Sequence, residues 1–416
     1  MPERLREAFA ARFGLAAKSL NERIVNQLAV RTVTSVVAES QTNEAAAHTA
    51  AKPYRVLSLD GGGMRGIYTA AFLDRLVTQF ARTRRVESLD LGKGFDLITG
   101  TSTGAIVASA LAVGRPMSEI AKVYREHGRQ IFPHRIKGTF SAIWRMFVGG
   151  RYVRKGDAVL RKALNDVLGQ TTMLDVFEKR GISLSIPAIL MSSHRSWVFK
   201  KTPASGMRDD DYKLVDVCMA SSAAPIFRSL AAVDDPNNDH GVKQVFADGG
   251  LWANNPIMVG LVDALACAPK DAPIEIFSLG TCSRPEGELI PPAQVHRSIL
   301  GWKMGAEAAG LSITAQEFAF DNMARFIGNK LTELGRPVRR LRFPNKDVPA
   351  EMMKFLALDD ARPEAVNRLI QQASNDADLA KSACDDPNNP EGQMVKALMM
   401  GLPEMPKTGV KMETTT

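Results

Sequence analysis

Gly100-Thr101-Ser102-Thr103-Gly104 is the stretch of sequence that decides the fold. It follows the apolar run Phe95–Thr99 and precedes small apolar residues over 105–113, a pattern that predicts a strand, a sharp turn and a helix. The two glycines let strand and helix approach closely, because neither position has a Cβ. Ser102 is therefore expected at the tip of the turn, at the positive end of a helix dipole. Alone, the pattern G-x-S-x-G also occurs in turns without a catalytic role.

A second glycine-rich turn precedes the first along the chain. Asp60-Gly61-Gly62-Gly63-Met64-Arg65-Gly66 follows the alternating apolar run Tyr54–Leu59 and precedes a predicted helix over Ile67–Phe80. Consecutive glycines beside an arginine would direct several backbone N–H groups to one point and form an anion-binding nest. The stretch matches neither the P-loop nor the dinucleotide fingerprint. We therefore favour an oxyanion hole over a nucleotide site here.

A third turn follows Asp248, which ends the predicted strand Gln244–Asp248 and precedes Gly249 and Gly250. Strands that alternate with helices over residues 54–281 predict an α/β fold, with a largely parallel sheet and helices on both faces. The further predicted elements are strands at Ile182–Leu190, Ser196–Lys200 and Ile274–Leu279 and helices at Val215–Ser222 and Ile257–Ala268. Ligands in such sheets bind at the carboxyl ends of the strands, where all three glycine turns lie.

Composition limits the classes of protein that remain. The 416 residues are 45% hydrophobic, enough for one large α/β domain with additions, and a net charge of +8 suits an anionic lipid, a nucleotide or a nucleic acid. The 4 cysteines form no C-x-x-C pair, which predicts reduced thiols in a cytosolic protein rather than disulfides or a zinc site. The first residues lack the apolar core of a signal peptide and no apolar run approaches bilayer length, so membrane contact is expected to be peripheral.

The predicted division of the chain has five parts. They are a helical arm at 1–39, a linker at 40–52, a catalytic core at 53–283, a mainly helical region at 284–406 and a disordered tail at 407–416. The amphipathic arm could pack on the body, on a sister subunit or on a membrane surface. In the region 284–406, helices are predicted at Arg297–Ile327 and Ala350–Lys381. The arginines of the run Arg336–Arg342 could bind nucleotide phosphates or pair with neighbouring acids.

Together and in this order, the three turns resemble the motifs of the patatin-like phospholipases, D-G-G-G-x-R-G, G-x-S-x-G and D-G-[GA]. Ser221–Pro225 and Ser278–Thr281 also resemble stretches of that family, and the resemblance covers residues 54–283. It implies a three-layer α/β sandwich with a mostly parallel central sheet, to which terminal helices are added. It implies a dyad in which Ser102 is the nucleophile and Asp248 takes its proton. The implied oxyanion hole consists of Gly61, Gly62, Gly63 and Arg65, and no metal or cofactor is required.

Two residues leave alternatives open within this assignment. A histidine triad in the order Ser, Asp, His would need His296, the only histidine after Asp248, but its polar surroundings lack a strand-end turn. We expect His296 not to be catalytic. Asp248 could instead cap the helix that follows it.

The segment Phe132–Lys155 carries Phe140, Ile143, Trp144 and Phe147 at helical spacing among basic residues. Aromatic residues flanked by cations suit a lid or a lipid-facing surface. An ordinary amphipathic helix with its apolar face in the core fits the same pattern.

The resemblance implies a serine lipid acyl hydrolase that cleaves ester-linked acyl chains of membrane lipids through an acyl-enzyme. Some bacterial members of the family with a similar build are cytosolic anti-phage effectors that a cyclic dinucleotide activates. The expected partners are a membrane phospholipid at a peripheral surface, a cyclic nucleotide activator and a second copy of the chain in a homo-oligomer, with no nucleic acid. The alternative is a nucleotide-sensing or lipid-binding protein whose serine is idle.

Overall fold

The computed structural model describes residues 51–132, 138–225, 227–238, 241–282, 290–292, 295–296, 298, 302, 306–344 and 348–406, with backbone alone for 138–152, 306, 307, 309 and 350. The predicted arm at 1–39 and tail at 407–416 lie outside these residues, as does nearly all of the linker at 40–52. The predicted division of the chain therefore stays a prediction.

Eight strands of the described residues form one sheet, in the order β5-β6-β3-β2-β1-β7-β8, with β4 paired to β3. The strands are β1 Tyr54–Leu59, β2 Leu97–Gly100, β3 Ser183–Leu190, β4 Arg195–Lys201, β5 Ala231–Asp234, β6 Lys243–Asp248, β7 Ile274–Leu279 and β8 Val338–Phe343. The central strands β3, β2, β1, β7 and β8 run parallel, whereas β4, β5 and β6 make antiparallel pairs. The sheet is therefore mostly parallel, as the sequence predicts.

Eleven α-helices are present in the same residues. They are α1 Gly66–Arg84, α2 Thr103–Ala112, α3 Met117–Ile131, α4 Gly138–Leu168, α5 Met173–Arg180, α6 Leu214–Ser221, α7 Gly250–Ala253, α8 Ile257–Cys267, α9 Ala306–Glu333, α10 Pro363–Asp385 and α11 Pro390–Met400. Short 3-10 helices occur at Gly63–Arg65, Leu91–Gly94 and Ala350–Phe355.

Side-chain alternation along β1 shows that helices cover both faces of the sheet. Val56 packs with Leu261 of α8 and Ala324 of α9 in one buried cluster. Leu57 belongs to a larger cluster on the other face that includes Phe72 of α1. Successive strand residues point to opposite faces, so both faces are buried. The predicted three-layer α/β sandwich is confirmed.

Strand β3 brings the ends of β2 and β6 together. β2 pairs with residues 183–185 at the start of β3, and β6 pairs antiparallel with residues 188–190 at its end. β4 occupies the opposite edge over residues 184–190, so β2 and β6 share one edge of β3 and run towards each other. Their carboxyl ends, Gly100 and Asp248, therefore meet beside the middle of β3.

The region predicted as mainly helical also contributes to the sheet, because β8 lies within the basic run Arg336–Arg342 and pairs in parallel with β7. Three of these arginines pair with carboxylates, as one alternative predicts, and the hypothesis that the run binds nucleotide phosphates stays a prediction. The carboxylate partners are Glu275 for Arg339 at 2.8 Å, Asp321 for Arg340 at 2.6 Å and Asp60 for Arg342 at 2.6 Å.

The helix predicted over Ala350–Lys381 begins later in the structure than in the prediction. Residues 350–355 form a 3-10 helix, and α10 begins at Pro363. A proline fits the first turn of a helix because its missing N–H would have no partner there.

Candidate active site

Ser102 occupies a strained turn between β2 and α2. Its φ of 56° and ψ of −117° are unusual for a residue with a side chain. A Cβ at Gly100 would lie 2.3 Å from the Gly104 carbonyl oxygen, and a Cβ at Gly104 would lie 2.3 Å from that of Leu59. Only glycine fits these two positions, so the sequence itself imposes the turn. It holds Ser102 at the N-terminus of α2.

The carboxyl group of Asp248 accepts the Ser102 hydroxyl. Ser102 Oγ donates to Asp248 Oδ2 at 2.8 Å, and the Gly250 N–H donates to Asp248 Oδ1 at 2.6 Å. Burial raises the pKa of Asp248 to about 6, although the Gly250 N–H, the Ser102 hydroxyl and the charge of Arg228 oppose the rise. A carboxyl with this pKa is mainly ionised at neutral pH and can still accept a proton.

Ser221 connects three parts of the site. Its hydroxyl accepts the Ser102 N–H at 2.9 Å and donates to the Pro187 carbonyl of β3 at 2.7 Å. Its carbonyl accepts the Gly249 N–H at 3.1 Å. Ser221 lies in the family-like stretch Ser221–Pro225, but its sequence pattern alone predicts no role for it. Only the fold brings β3, the serine turn and the aspartate turn around this residue.

The glycine loop after β1 lies against Ser102. A Cβ at Gly61 would lie 3.3 Å from the Ser102 Cβ, which shows how closely the loop approaches the serine. The Gly61 N–H donates to the Asn254 carbonyl at 2.9 Å, and the Gly62 N–H donates to Thr103 Oγ1 at 3.1 Å. Within the described residues the Gly63 N–H makes no hydrogen bond. Gly63 also has a φ of 56°, the left-handed region that favours glycine.

Arg65, the fourth residue of the predicted oxyanion hole, is buried under the loop. Its Nε donates to the Gly62 carbonyl oxygen at 3.4 Å. The side chain therefore contacts the loop from its carbonyl side. This contact can hold the loop in place.

The remaining predicted site features are placed differently. His296 is exposed on the surface. The aromatic residues Phe140, Ile143, Trp144 and Phe147 fall in the part of α4 for which only the backbone is described, so the lid hypothesis stays untested. None of the described helices combines the length and the apolar character needed to cross a bilayer.

An α/β sheet with a serine at such a turn and an adjacent buried carboxylate is typical of serine hydrolases. The family model described as patatin-like phospholipase matches residues 57–261. A Pseudomonas aeruginosa protein named cGAMP-activated phospholipase is 32% identical, over 80% of this chain and 90% of the relative. An Escherichia coli protein of the same name is 29% identical, over 76% of this chain and 86% of the relative. Another Escherichia coli protein, named cUMP-AMP-activated phospholipase, is 29% identical, over 56% of this chain and 66% of the relative.

The chain belongs to the patatin-like phospholipase family. It is therefore an enzyme, a serine lipid acyl hydrolase, and the alternative of a binding protein with an idle serine is not supported. The family and the enzyme class that the motifs imply are confirmed.

Proposed function

We propose that Ser102 and Asp248 form the catalytic dyad with which this chain cleaves acyl esters of membrane phospholipids. The observation that carries the proposal is the 2.8 Å hydrogen bond from Ser102 Oγ to Asp248 Oδ2, formed by a carboxyl that is 5% exposed. Burial makes Asp248 a stronger base than a carboxylate in water. His296 is exposed on the surface, and we expect it not to take part.

The reaction proceeds in two halves. Ser102 Oγ attacks the ester carbonyl carbon, and its proton passes to Asp248. The tetrahedral intermediate collapses, the acyl chain stays on Ser102, and the leaving lysolipid oxygen takes the proton from Asp248. Water then attacks the acyl-serine and gives its proton to Asp248. When the fatty acid departs, Ser102 Oγ recovers that proton, so the enzyme returns to its starting state.

The glycine loop supplies the oxyanion hole in this proposal. Gly63 is its first donor, because its N–H makes no hydrogen bond within the described part of the chain. Gly62 can join it when its N–H leaves the Thr103 hydroxyl, a bond of 3.1 Å to a neutral acceptor. The Gly61 N–H would have to release the Asn254 carbonyl to take part. The Arg65 side chain holds the loop from below.

Substitution of the dyad tests this proposal. Ser102→Ala and Asp248→Asn should each lower kcat on a soluble chromogenic acyl ester by about 10³-fold or more, since nucleophile and base act as a unit. A fluorophosphonate probe should label the parent and not Ser102→Ala. Ser222→Ala is a matched control, because the Ser222 hydroxyl contacts only the Cys218 carbonyl among the described residues. A folded Ser102→Ala protein that keeps its activity would refute the dyad.

Regulation by a cyclic nucleotide forms a second part of the proposal. Relatives are named cGAMP-activated and cUMP-AMP-activated phospholipases. We propose that a cyclic dinucleotide activates this chain at a membrane surface, in one copy or in an assembly of copies.

The activation can be measured directly. Phospholipid vesicles are incubated with the parent chain and a panel of cyclic di- and trinucleotides, and released fatty acid is quantified. Stimulation by one of these nucleotides, absent with its linear hydrolysis product and absent in Ser102→Ala, supports the proposal. Equal release under all conditions contradicts activation and leaves the dyad proposal intact.

A further inference from the structure

The glycine loop is held from behind by residues that lie beyond the matched family region 57–261. Asp60, its first residue, is fully buried, and Asp60 Oδ2 accepts Arg342 Nη2 at 2.6 Å. Arg342 Nη1 donates to Ser278 Oγ of β7 at 2.8 Å. β8 pairs with β7 so that Arg342 stands directly opposite Ser278. The strand register therefore fixes the guanidinium, which in turn fixes Asp60.

A second set of contacts reaches Gly61 through Asn254. Asn254 accepts the Gly61 N–H at 2.9 Å with its carbonyl and donates to the Gly61 carbonyl at 3.2 Å with Nδ2. Helix α9 holds Asn254 in turn. The Asn254 N–H donates to Gln316 Oε1 at 2.9 Å, and its Nδ2 also donates to the buried carboxylate of Glu317.

These contacts bear on catalysis because of where the loop stands. Gly61 lies beside the Ser102 side chain, and the next two residues carry the N–H groups of the proposed oxyanion hole. Such donors must lie about 2.7–3.1 Å from the oxyanion. A displacement of about 1 Å can cost about 10²-fold in rate. A small shift of Asp60 or Gly61 would therefore lower kcat with little effect on KM.

We propose that Arg342 and Glu317 are positioning residues of the acyl transfer, which set the oxyanion-binding loop from β8 and α9. The proposal rests on the loop's role in the proposed function. Arg342 acts through Asp60, and Glu317 acts through Asn254. Neither is expected to touch the substrate.

The test separates positioning from simple folding stability. Removal of one partner of a buried ion pair destabilises a protein strongly because it leaves a buried charge unpaired, whereas replacement of both partners by uncharged residues leaves no such charge. We therefore use the double variant Asp60→Asn with Arg342→Gln. The matched control is Asp321→Asn with Arg340→Gln, which neutralises a 2.6 Å pair between β8 and α9. Within the described residues, neither side chain of this pair has a hydrogen bond or ion pair with the glycine loop. Kinetics on the soluble ester are measured well below each thermal midpoint.

The double variant at Asp60 and Arg342 should lose about 10-fold or more in kcat with KM within about 2-fold of the parent. The control should keep both constants. Parent-like kcat in the first variant, or an equal loss in the control, would overturn the role of Arg342. Should the double variant not fold, Arg342→Lys takes its place. This variant keeps the charge beside Asp60 but cannot also hold Ser278. It should therefore lower kcat at nearly constant KM, by less than the double variant does.

Glu317 has its own conservative pair of variants. Glu317→Gln keeps an oxygen that accepts Asn254 Nδ2 and should retain kcat. Glu317→Ala loses that acceptor and should lower kcat at constant KM. Equal kcat in the two variants would overturn the role of Glu317. Ser102→Ala in the same assay keeps the two questions apart, since an active Ser102→Ala would refute the proposed dyad itself.

Discussion

Replacement of Asp248 by asparagine should stabilise the folded chain while it removes the proposed base. Asparagine has the same shape, so its oxygen can accept the Gly250 N–H and its amide can donate to Ser102 Oγ. Both contacts of the carboxyl are thereby kept, with the second reversed. What disappears is a negative charge buried in the protein.

The size of the effect follows from the pKa of Asp248, which burial raises from 3.8 to about 6. Between these values the folded chain retains a proton that the unfolded chain has released, so the free energy of unfolding falls as pH rises from about 4 to 6. Each tenfold change in acidity corresponds to about 1.4 kcal/mol, so the ionised carboxylate costs about 3 kcal/mol above pH 6. Asp248→Asn avoids that cost.

Urea denaturation of both proteins from pH 5 to pH 8 measures the difference. At pH 8 the midpoint of urea unfolding should be higher for Asp248→Asn, with an unchanged m-value, and its free energy of unfolding should exceed that of the parent by up to about 3 kcal/mol. This gain in stability should shrink towards pH 5. Asp378→Asn is the control, because that carboxyl is exposed and Arg75 lowers its pKa, so its removal should bring no such gain. A less stable Asp248→Asn at pH 8, or a gain that does not depend on pH, would refute the reasoning.

Three further predictions concern the same site. On a soluble ester, kcat/KM should rise with pH and level off above about pH 6, as Asp248 loses its proton; a flat profile down to pH 5 would contradict the role of Asp248 as base. Gly104→Ala should destabilise the chain strongly by thermal melting, because its Cβ would lie 2.3 Å from a backbone oxygen that cannot move away; a parent-like melting temperature would contradict the geometry of the turn. Ser221→Ala should lower kcat by about 10-fold, since the Ser102 N–H loses its acceptor, and Ser222→Ala should not; equal kcat values would show that Ser221 does not orient the serine.

The glycine turns of the site could be read from the sequence because their causes are local. A glycine is required wherever a Cβ would strike a backbone oxygen, and Gly100, Gly104 and Gly63 show this directly. The strands that precede the three turns are short apolar runs, and the helix between β1 and β2 accounts for the parallel pairing of these two strands. The antiparallel direction of β6 does not follow from such a local pattern. The family resemblance added the pairing of Ser102 with Asp248, which spacing alone does not provide.

The strand β8 could not be predicted from its composition. Arginines at 336, 339, 340 and 342 suggest a solvated surface, and their partners lie far away in the sequence. Carboxylates on the glycine loop, β7 and α9 neutralise three of them and allow the segment to join the sheet. The role of Ser221 could not be predicted for the same reason, because its hydrogen-bond partners lie on elements far apart in the sequence.

Strand β3 makes the geometry of the site tolerant of sequence changes elsewhere in the chain. Ser102 and Asp248 stand 146 positions apart in the chain, yet β2 and β6 take their places from one edge of β3. The distance between the two side chains therefore does not depend on the length of the chain between them. Insertions or exchanges between α2 and β3 can therefore alter what surrounds the pair without altering the pair. The choice of acyl chain or headgroup can evolve, or be engineered, separately from the bond-breaking chemistry.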